Sequence, residues 1–198
     1  MKIDLADELI EKELLRKSIH FLSLGYIPLY LTFGKSITLT VVLSLTAFAL
    51  ILELVRRKFQ VLPKLLLRDY EAKGLAAYVY FGISASIVTI IFPMEACIVA
   101  IVVGSLGDGV AGIFKSSSLQ GYSSIAMLIA SFSFLLFLTC CADLLLFSAL
   151  IACVAGVLAE RIQKIGKYYI NDNLSVSIVS ALTYHLSICF FYYFKLST

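Results

Sequence analysis

Seven apolar segments, separated by polar turns, follow one another along most of this chain. Several of them approach the roughly 20 apolar residues that a helix needs to cross the hydrocarbon core of a bilayer. We therefore predict one membrane helix for each segment, at 19–33, 36–54, 75–92, 95–113, 123–140, 144–159 and 174–194.

Residues 3–17 show a different pattern, in which apolar side chains such as Ile3, Leu9 and Leu14 recur among charged ones. This spacing predicts an amphipathic helix that lies on the membrane surface. The predicted fold is an all-α polytopic integral membrane protein with one domain, 1–198. It consists of a surface helix over 1–17 and a bundle of about seven transmembrane helices over 18–195.

The composition agrees with a membrane protein. Hydrophobic residues make up 61% of the chain, charged residues only 15%, and the mean hydropathy is +0.97. Soluble domains are nearer one quarter charged. The formal net charge of +3 is too small to indicate a nucleic-acid partner. The lipid bilayer is the partner that the composition predicts.

The distribution of Lys and Arg predicts the orientation. With the N-terminus in the cytoplasm, only Lys35 and Lys195 of the 16 Lys and Arg residues fall on the outer side. An odd number of spans then places the C-terminus outside. So small a membrane chain suggests a prokaryotic cell membrane. In this topology nearly every unusual polar cluster lies at a cytoplasmic helix end.

Asp108 is the most unusual residue, because it follows the apolar run Ala96–Val103 inside a predicted span. A carboxylate toward a bilayer costs roughly 2.5–3.5 kcal/mol and usually faces protein or a water-filled cavity. Asp108 could hold Mg²⁺ or accept a proton from an attacking hydroxyl. Gly107 and Gly109 would let a backbone or a phosphate approach closely. The alternative is a glycine packing face with an aspartate bonded to a neighbouring helix.

Two clusters suit phosphate groups. Arg16 and His20 share a helix face beside Lys17, although a basic flank of a membrane helix would look the same. The serine-rich turn 116–124 opens a helix and offers hydroxyls and free backbone N–H groups.

Three further clusters have two interpretations each. The sequence 171–173 is either an N-cap or a metal or nucleotide ligand, and the charges of 68–73 form either a solvated ion pair or a phosphate site. Glu53, with Arg56 and Arg57 behind it, is expected at a helix end whose long side chains reach the interface.

Taken in order, these clusters resemble the polyprenol kinase family, which includes dolichol kinase, phytol kinase and CTP-dependent diacylglycerol kinase. The resemblance extends from residue 13 to about residue 185. The stretches that carry it are Glu13–His20 with Gly25, Arg68–Gly74 with Tyr80 and Phe92-Pro93, Gly107–Ala111, Ser118–Gly121, and Glu160 with Asp172–Leu174.

The resemblance implies transfer of the γ-phosphate of CTP, with Mg²⁺, to the hydroxyl of a membrane lipid alcohol. It implies catalytic roles for Asp108, His20 and Lys17. It implies metal ligation by Asp108, Asp172, Asn173 and Glu160. The implied nucleotide and phosphate contacts are Arg16, Gly107, Gly109, Lys115, Ser116, Ser117, Ser118, Gln120, Gly121, Arg68 and Lys73.

This chain departs from the family pattern at several positions. The loop Ile113–Ser117 is short, Gln120 and Asn171 stand where relatives carry acidic residues, and Ser177 stands at a proline position. Two alternatives therefore remain. One is a cytidylyltransferase that joins CMP to a phospholipid acid, and the other is a homologue or transporter without catalysis.

Overall fold

The computed structural model describes residues 17, 18, 20–59, 74–162, 164–166 and 168–197. Within these ranges the protein is helical except for its turns and one two-residue antiparallel pair, β1 (Lys164–Ile165) and β2 (Tyr168–Tyr169). The helices are α1 (His20–Phe59), α2 (Ala77–Ile91), α3 (Met94–Lys115), α4 (Gln120–Leu138), α5 (Leu146–Arg161) and α6 (Asp172–Ser197). The predicted surface helix lies almost entirely outside the described residues.

The described ranges contain six helices, so the predicted count of seven is not supported. The two predicted spans 19–33 and 36–54 belong to one helical run, α1, because only Gly34 interrupts it. Gly34 has a φ of 73°, in the left-handed region that favours glycine. The all-helical class is confirmed.

Contacts with α2 show that α1 reverses direction at Gly34. The His20 ring meets Phe81 near the beginning of α2, and the Lys35 ammonium donates to the carbonyl of Ile90 at its end. Further along, the Tyr78 hydroxyl donates to Glu53, again near the beginning of α2. The two arms of α1 therefore run antiparallel, with Gly34 at the bend.

Helix α3 is the centre of the bundle. Every side chain of its segment Ala96–Val103 is at most 1% exposed. Helices α1, α2, α4, α5 and α6 all pack against it. Residues Val102–Gly107 of α3 form a π-helical segment, and α-helix resumes at Asp108.

Glycines allow the neighbouring helices to approach α3 closely. A Cβ atom on Gly104 would lie 2.2 Å from the Ser177 Oγ of α6, and one on Gly107 would lie 2.3 Å from the Ser131 Oγ of α4. A Cβ atom on Gly156 of α5 would clash with the side chains of both Val103 and Ser180. Such small-residue contacts are the usual means by which helices associate in lipid.

Four helices, α1, α3, α4 and α6, are long and apolar enough to cross a membrane. The outward faces of the bundle carry large apolar side chains such as Leu45, Phe48, Ile129 and Phe190, all more than half exposed. So many exposed large apolar side chains are unusual for a soluble protein. The structure is therefore compatible with a membrane protein.

We expect Gly156→Ala to lower the free energy of unfolding by about 1–3 kcal/mol, because the new methyl group overpacks a filled interior. The Val103 methyl group would lie 2.5 Å from it, on a stiff β-branched side chain. Denaturant unfolding in detergent micelles, followed by circular dichroism, measures the change. Gly25→Ala is the matched control, since a Cβ there meets nothing within 4 Å. Equal stability of the two variants would contradict this account of the packing.

Candidate functional site

One end of the bundle, here called the polar end, carries Lys17, Glu53, Asp108, Glu160 and Asp172. Contacts between helices establish that these residues share an end: Lys17 pairs with Asp108, and Lys115 of α3 pairs with Glu160. The Ser84 hydroxyl of α2 donates to the carbonyl of Asn173 at the start of α6. At the opposite end, the Leu145 amide donates to the Tyr184 hydroxyl.

Asp108 is buried at the polar end, where its carboxylate forms an ion pair with Lys17. The side chains are 5% and 3% exposed. Burying two charges costs several kcal/mol per ion, which their attraction offsets only when the geometry is good. The sequence predicted a carboxylate that faces protein, and Asp108 does so. One of its partners is the Lys17 ammonium, 91 positions away along the chain.

The first turns of α1 cover Asp108. The Ser23 hydroxyl donates to the carbonyl of His20 and bonds the Ser105 hydroxyl in the π segment. The Phe21 ring lies against Gly109, where a Cβ would be 2.9 Å from it. Phe21 and Ser23 therefore hold the start of α1 against the segment that carries Asp108. The Lys17–Asp108 pair adds a contact just before the helix begins.

Gly107 and Gly109 are packing positions in this arrangement. Ser131 and Met127 lie against Gly107, as Phe21 does against Gly109. The sequence led us to expect that both glycines let a backbone or a phosphate approach closely, and the structure places protein side chains against them. The packing alternative drawn from the sequence describes them better.

The sequence 171–173 forms the N-cap of α6. The Asn171 side chain accepts a hydrogen bond from the Asn173 amide, and the Leu174 and Ser175 amides donate to the Asn171 carbonyl. Asp172 also accepts from the Asn173 backbone amide and side-chain amide. The cap interpretation is confirmed, which leaves the predicted ligand role of Asp172 and Asn173 as a separate question.

The side-chain oxygen of Asn173 is not used by the cap. This Oδ1 atom is buried and has no hydrogen-bond partner among the described residues. Ser177, one helical turn further along α6, packs on Gly104, which precedes Asp108 by one turn on the antiparallel helix α3. This register places Asn173 in the same layer of the bundle as Asp108.

The serine-rich turn uses part of its polar capacity locally. The Ser116 hydroxyl donates to the carbonyl of Gly112, and the Ser117 hydroxyl donates to the carbonyl of Phe114, so both satisfy the C-terminus of α3. Ser118, Gln120 and Gly121 are exposed at the polar end. Arg16, Arg68 and Lys73 lie outside the described residues.

The side chains of the polar end fit a Mg²⁺ site that has few protein ligands. Within the described ranges, no three or more His, Cys, Asp or Glu residues come together as a metal cluster. Glu160 is buried against Lys115. Mg²⁺, however, is usually held by one or two carboxylates together with substrate phosphates and water. The Asp108 carboxylate and the Asn173 Oδ1 oxygen fit that kind of site.

Glu53 forms a network that the sequence did not predict. Arg56 donates two hydrogen bonds to its carboxylate, and Arg57 and Tyr78 add one each. Glu53 is 1% exposed and Arg56 is 7% exposed, so this is a buried ion pair rather than a pair of side chains reaching the interface. Arg56 also donates to the carbonyl of Gly74, which ties the end of α1 to the approach to α2.

Comparisons with known proteins found no match: no family model, no curated protein and no solved structure matches the chain.

We expect Glu53→Gln to destabilise the protein by about 3–5 kcal/mol, because it leaves a buried guanidinium without its counter-charge. Arg57→Gln removes a partner that is nearly half exposed, so we expect a cost of about 1 kcal/mol or less. Unfolding of both variants in the same detergent gives the comparison. A loss for Arg57→Gln as large as that for Glu53→Gln would show that the network is not organised around the buried pair.

Proposed function

We propose that this protein is a membrane kinase that transfers the γ-phosphate of CTP to the hydroxyl of a lipid alcohol. The observation that carries the proposal is the buried Lys17–Asp108 pair at one end of an apolar helix bundle. A lipid hydroxyl lies at the membrane surface and a nucleotide comes from water, so the two substrates can meet only near a helix end. The preference for CTP, and for an isoprenoid alcohol or diacylglycerol, comes from the family resemblance.

In the proposed reaction, Asp108 accepts the proton of the lipid hydroxyl. The hydroxyl oxygen forms a bond to the γ-phosphorus, the bond to the β–γ bridging oxygen breaks, and CDP leaves. Lys17 and His20 bind phosphate oxygens. Mg²⁺, when bound with the nucleotide at Asp108 and Asn173, would neutralise phosphate charge. Phosphoryl transfer needs mainly positioning and electrostatic stabilisation, so no covalent catalyst is required.

The described basic residues support an orientation with the polar end in the cytoplasm. Lys17, Arg56, Lys115 and Arg161 belong to that end, whereas Lys35 lies at the other. An excess of Lys and Arg is typical of cytoplasmic loops and helix ends. The proposed site would then face the compartment that contains the nucleotide.

One observation favours a second candidate, a membrane protein without catalysis. Asp108 and Glu160 each have a lysine partner, as structural ion pairs do. In that case the polar end would only hold the helices together. The two candidates differ in nucleotide binding, which a purely structural set of ion pairs would not provide.

The reaction is tested with CTP labelled at either the α- or the γ-phosphate, Mg²⁺, and a panel of isoprenoid alcohols and diacylglycerol. We expect γ-label in the lipid. We expect Asp108→Asn to lower the rate by about 10²–10⁴-fold, the usual contribution of a positioned general base. Asp143→Asn, the same change at an exposed site of the opposite end, is the control and should leave the rate unchanged.

Each other outcome of this assay is informative. Appearance of α-label in the lipid would identify a cytidylyltransferase. Full activity of Asp108→Asn would refute the assigned base. Absence of both transfer and nucleotide binding would favour the protein without catalysis.

The orientation is tested by cysteine labelling in intact cells. Cys140 and Cys141 are exposed in the turn between α4 and α5, away from the polar end. A membrane-impermeant maleimide should label them from outside. In a variant with both replaced by serine, Ser118→Cys at the polar end should react only after the cells are permeabilised. The reverse pattern would invert the proposed topology.

A further inference from the structure

The Lys17 ammonium is paired with the carboxylate that the proposed reaction requires, that of Asp108. It bonds the Oδ2 atom of Asp108, and both side chains are almost completely buried. We infer that Lys17 is a gate that controls access to Asp108. Its ammonium blocks the Asp108 carboxylate in the resting protein and moves to the nucleotide phosphates when they bind. The inference rests on the proposed function, because it concerns access to the same carboxylate.

The charges of the buried layer support this exchange. Lys17 and Asp108 together are neutral, which is the state that burial favours. A divalent cation added at Asp108 while Lys17 stays beside it would give these three groups a net charge of +2 in a poorly solvated place. Nucleotide phosphates bring the missing negative charge. Metal binding at Asp108 is therefore coupled to nucleotide binding.

The gate requires the Lys17 side chain to move while the start of α1 stays in place. Ser23 bonds both the carbonyl of His20 and the Ser105 hydroxyl, and Phe21 packs on Gly109, so α1 is fixed at this point. Lys17 carries its charge on a flexible four-carbon stem, and an ammonium binds phosphate well as a point charge. Rotation of that stem would carry the ammonium from Asp108 to a phosphate group.

Other ion pairs at the polar end are built differently. Glu53 receives two hydrogen bonds from the planar guanidinium of Arg56, with Arg57 and Tyr78 in addition. Such a network fixes its members in one geometry. Lys115 is more than one third exposed. The cation that pairs with Glu160 is therefore not buried, unlike Lys17. The Lys17–Asp108 pair alone among these combines a flexible cation with full burial.

The test measures binding of Mn²⁺, used in place of Mg²⁺ because its electron paramagnetic resonance signal reports the free ion. The purified protein in detergent is titrated with Mn²⁺, with and without CTP that carries a β,γ-methylene bridge. The Mn²⁺ that the analogue binds by itself is measured in the same detergent buffer without protein and subtracted. We expect the analogue to raise the Mn²⁺ affinity of the unaltered protein at least tenfold. We expect Lys17→Gln to bind Mn²⁺ at least tenfold more tightly than the unaltered protein when no nucleotide is present.

Three further variants identify the cause of any increase in Mn²⁺ affinity in Lys17→Gln. Lys35→Gln removes the same charge at the opposite end and should leave Mn²⁺ binding unchanged. Lys17→Arg keeps the charge and should keep the affinity low without nucleotide. Asp108→Asn combined with Lys17→Gln should abolish the gain, which would assign it to Asp108.

Several results would overturn the inference. Equal Mn²⁺ affinity of the unaltered protein with and without the analogue would do so, and this arm does not depend on whether Lys17→Gln folds. Lys17→Gln that folds and binds no more tightly would also do so. Failure of the proposed function is detected separately. If the analogue raises Mn²⁺ affinity but no phosphoryl transfer is found, the gate is supported and the kinase function is refuted. Transfer without coupling would do the opposite.

Discussion

Helix α3 is surrounded by protein along Ala96–Val103, and the other helices are arranged around that constraint. A helix enclosed on all sides needs neighbours that approach its backbone closely, and Gly104 and Gly107 make this possible on two sides. Ser177 and Ser131 pack against these glycines without a hydrogen-bond partner among the described residues. Their hydroxyls act mainly as small packing groups, since a larger side chain would push the helices apart.

The enclosed position of α3 also explains why a charged site can exist here. Asp108 follows the buried segment directly, so its surroundings are protein rather than lipid. The carboxylates of Glu53, Asp108 and Glu160 each meet a basic side chain from the same end of the bundle. The apolar remainder of the helices then faces outward without charged groups to desolvate, which is the distribution that a bilayer favours.

The sequence predicted the helices well because apolar segments of membrane length leave few other structures possible. It did not predict that α1 is one run folded at Gly34, since a glycine followed by Lys35 also suits an ordinary loop. The burial of Asp108 could be predicted from its apolar neighbours. Its pairing with Lys17 could not, because contacts between residues 91 positions apart depend on how the helices pack.

The predicted roles of small and polar residues were harder to separate. A glycine beside an aspartate indicates close approach, but the pattern does not say whether a ligand or a side chain approaches. In the structure Phe21 lies against Gly109, and Asn171 caps α6. The unpartnered Asn173 Oδ1 oxygen could not be identified from the sequence, because the same residue in a cap commonly satisfies all its groups.

The π segment Val102–Gly107 determines the direction in which Asp108 points. A π turn bonds residue i to i+5 and so contains about one residue more than an α turn. Everything after it is rotated by about 100° around the helix axis compared with an uninterrupted α-helix. In an unbroken α-helix the Asp108 side chain would point about 100° away from its present direction, and therefore away from Lys17. The angular phase of one helix, set by a single wide turn, thus brings the carboxylate of Asp108 to the ammonium of Lys17.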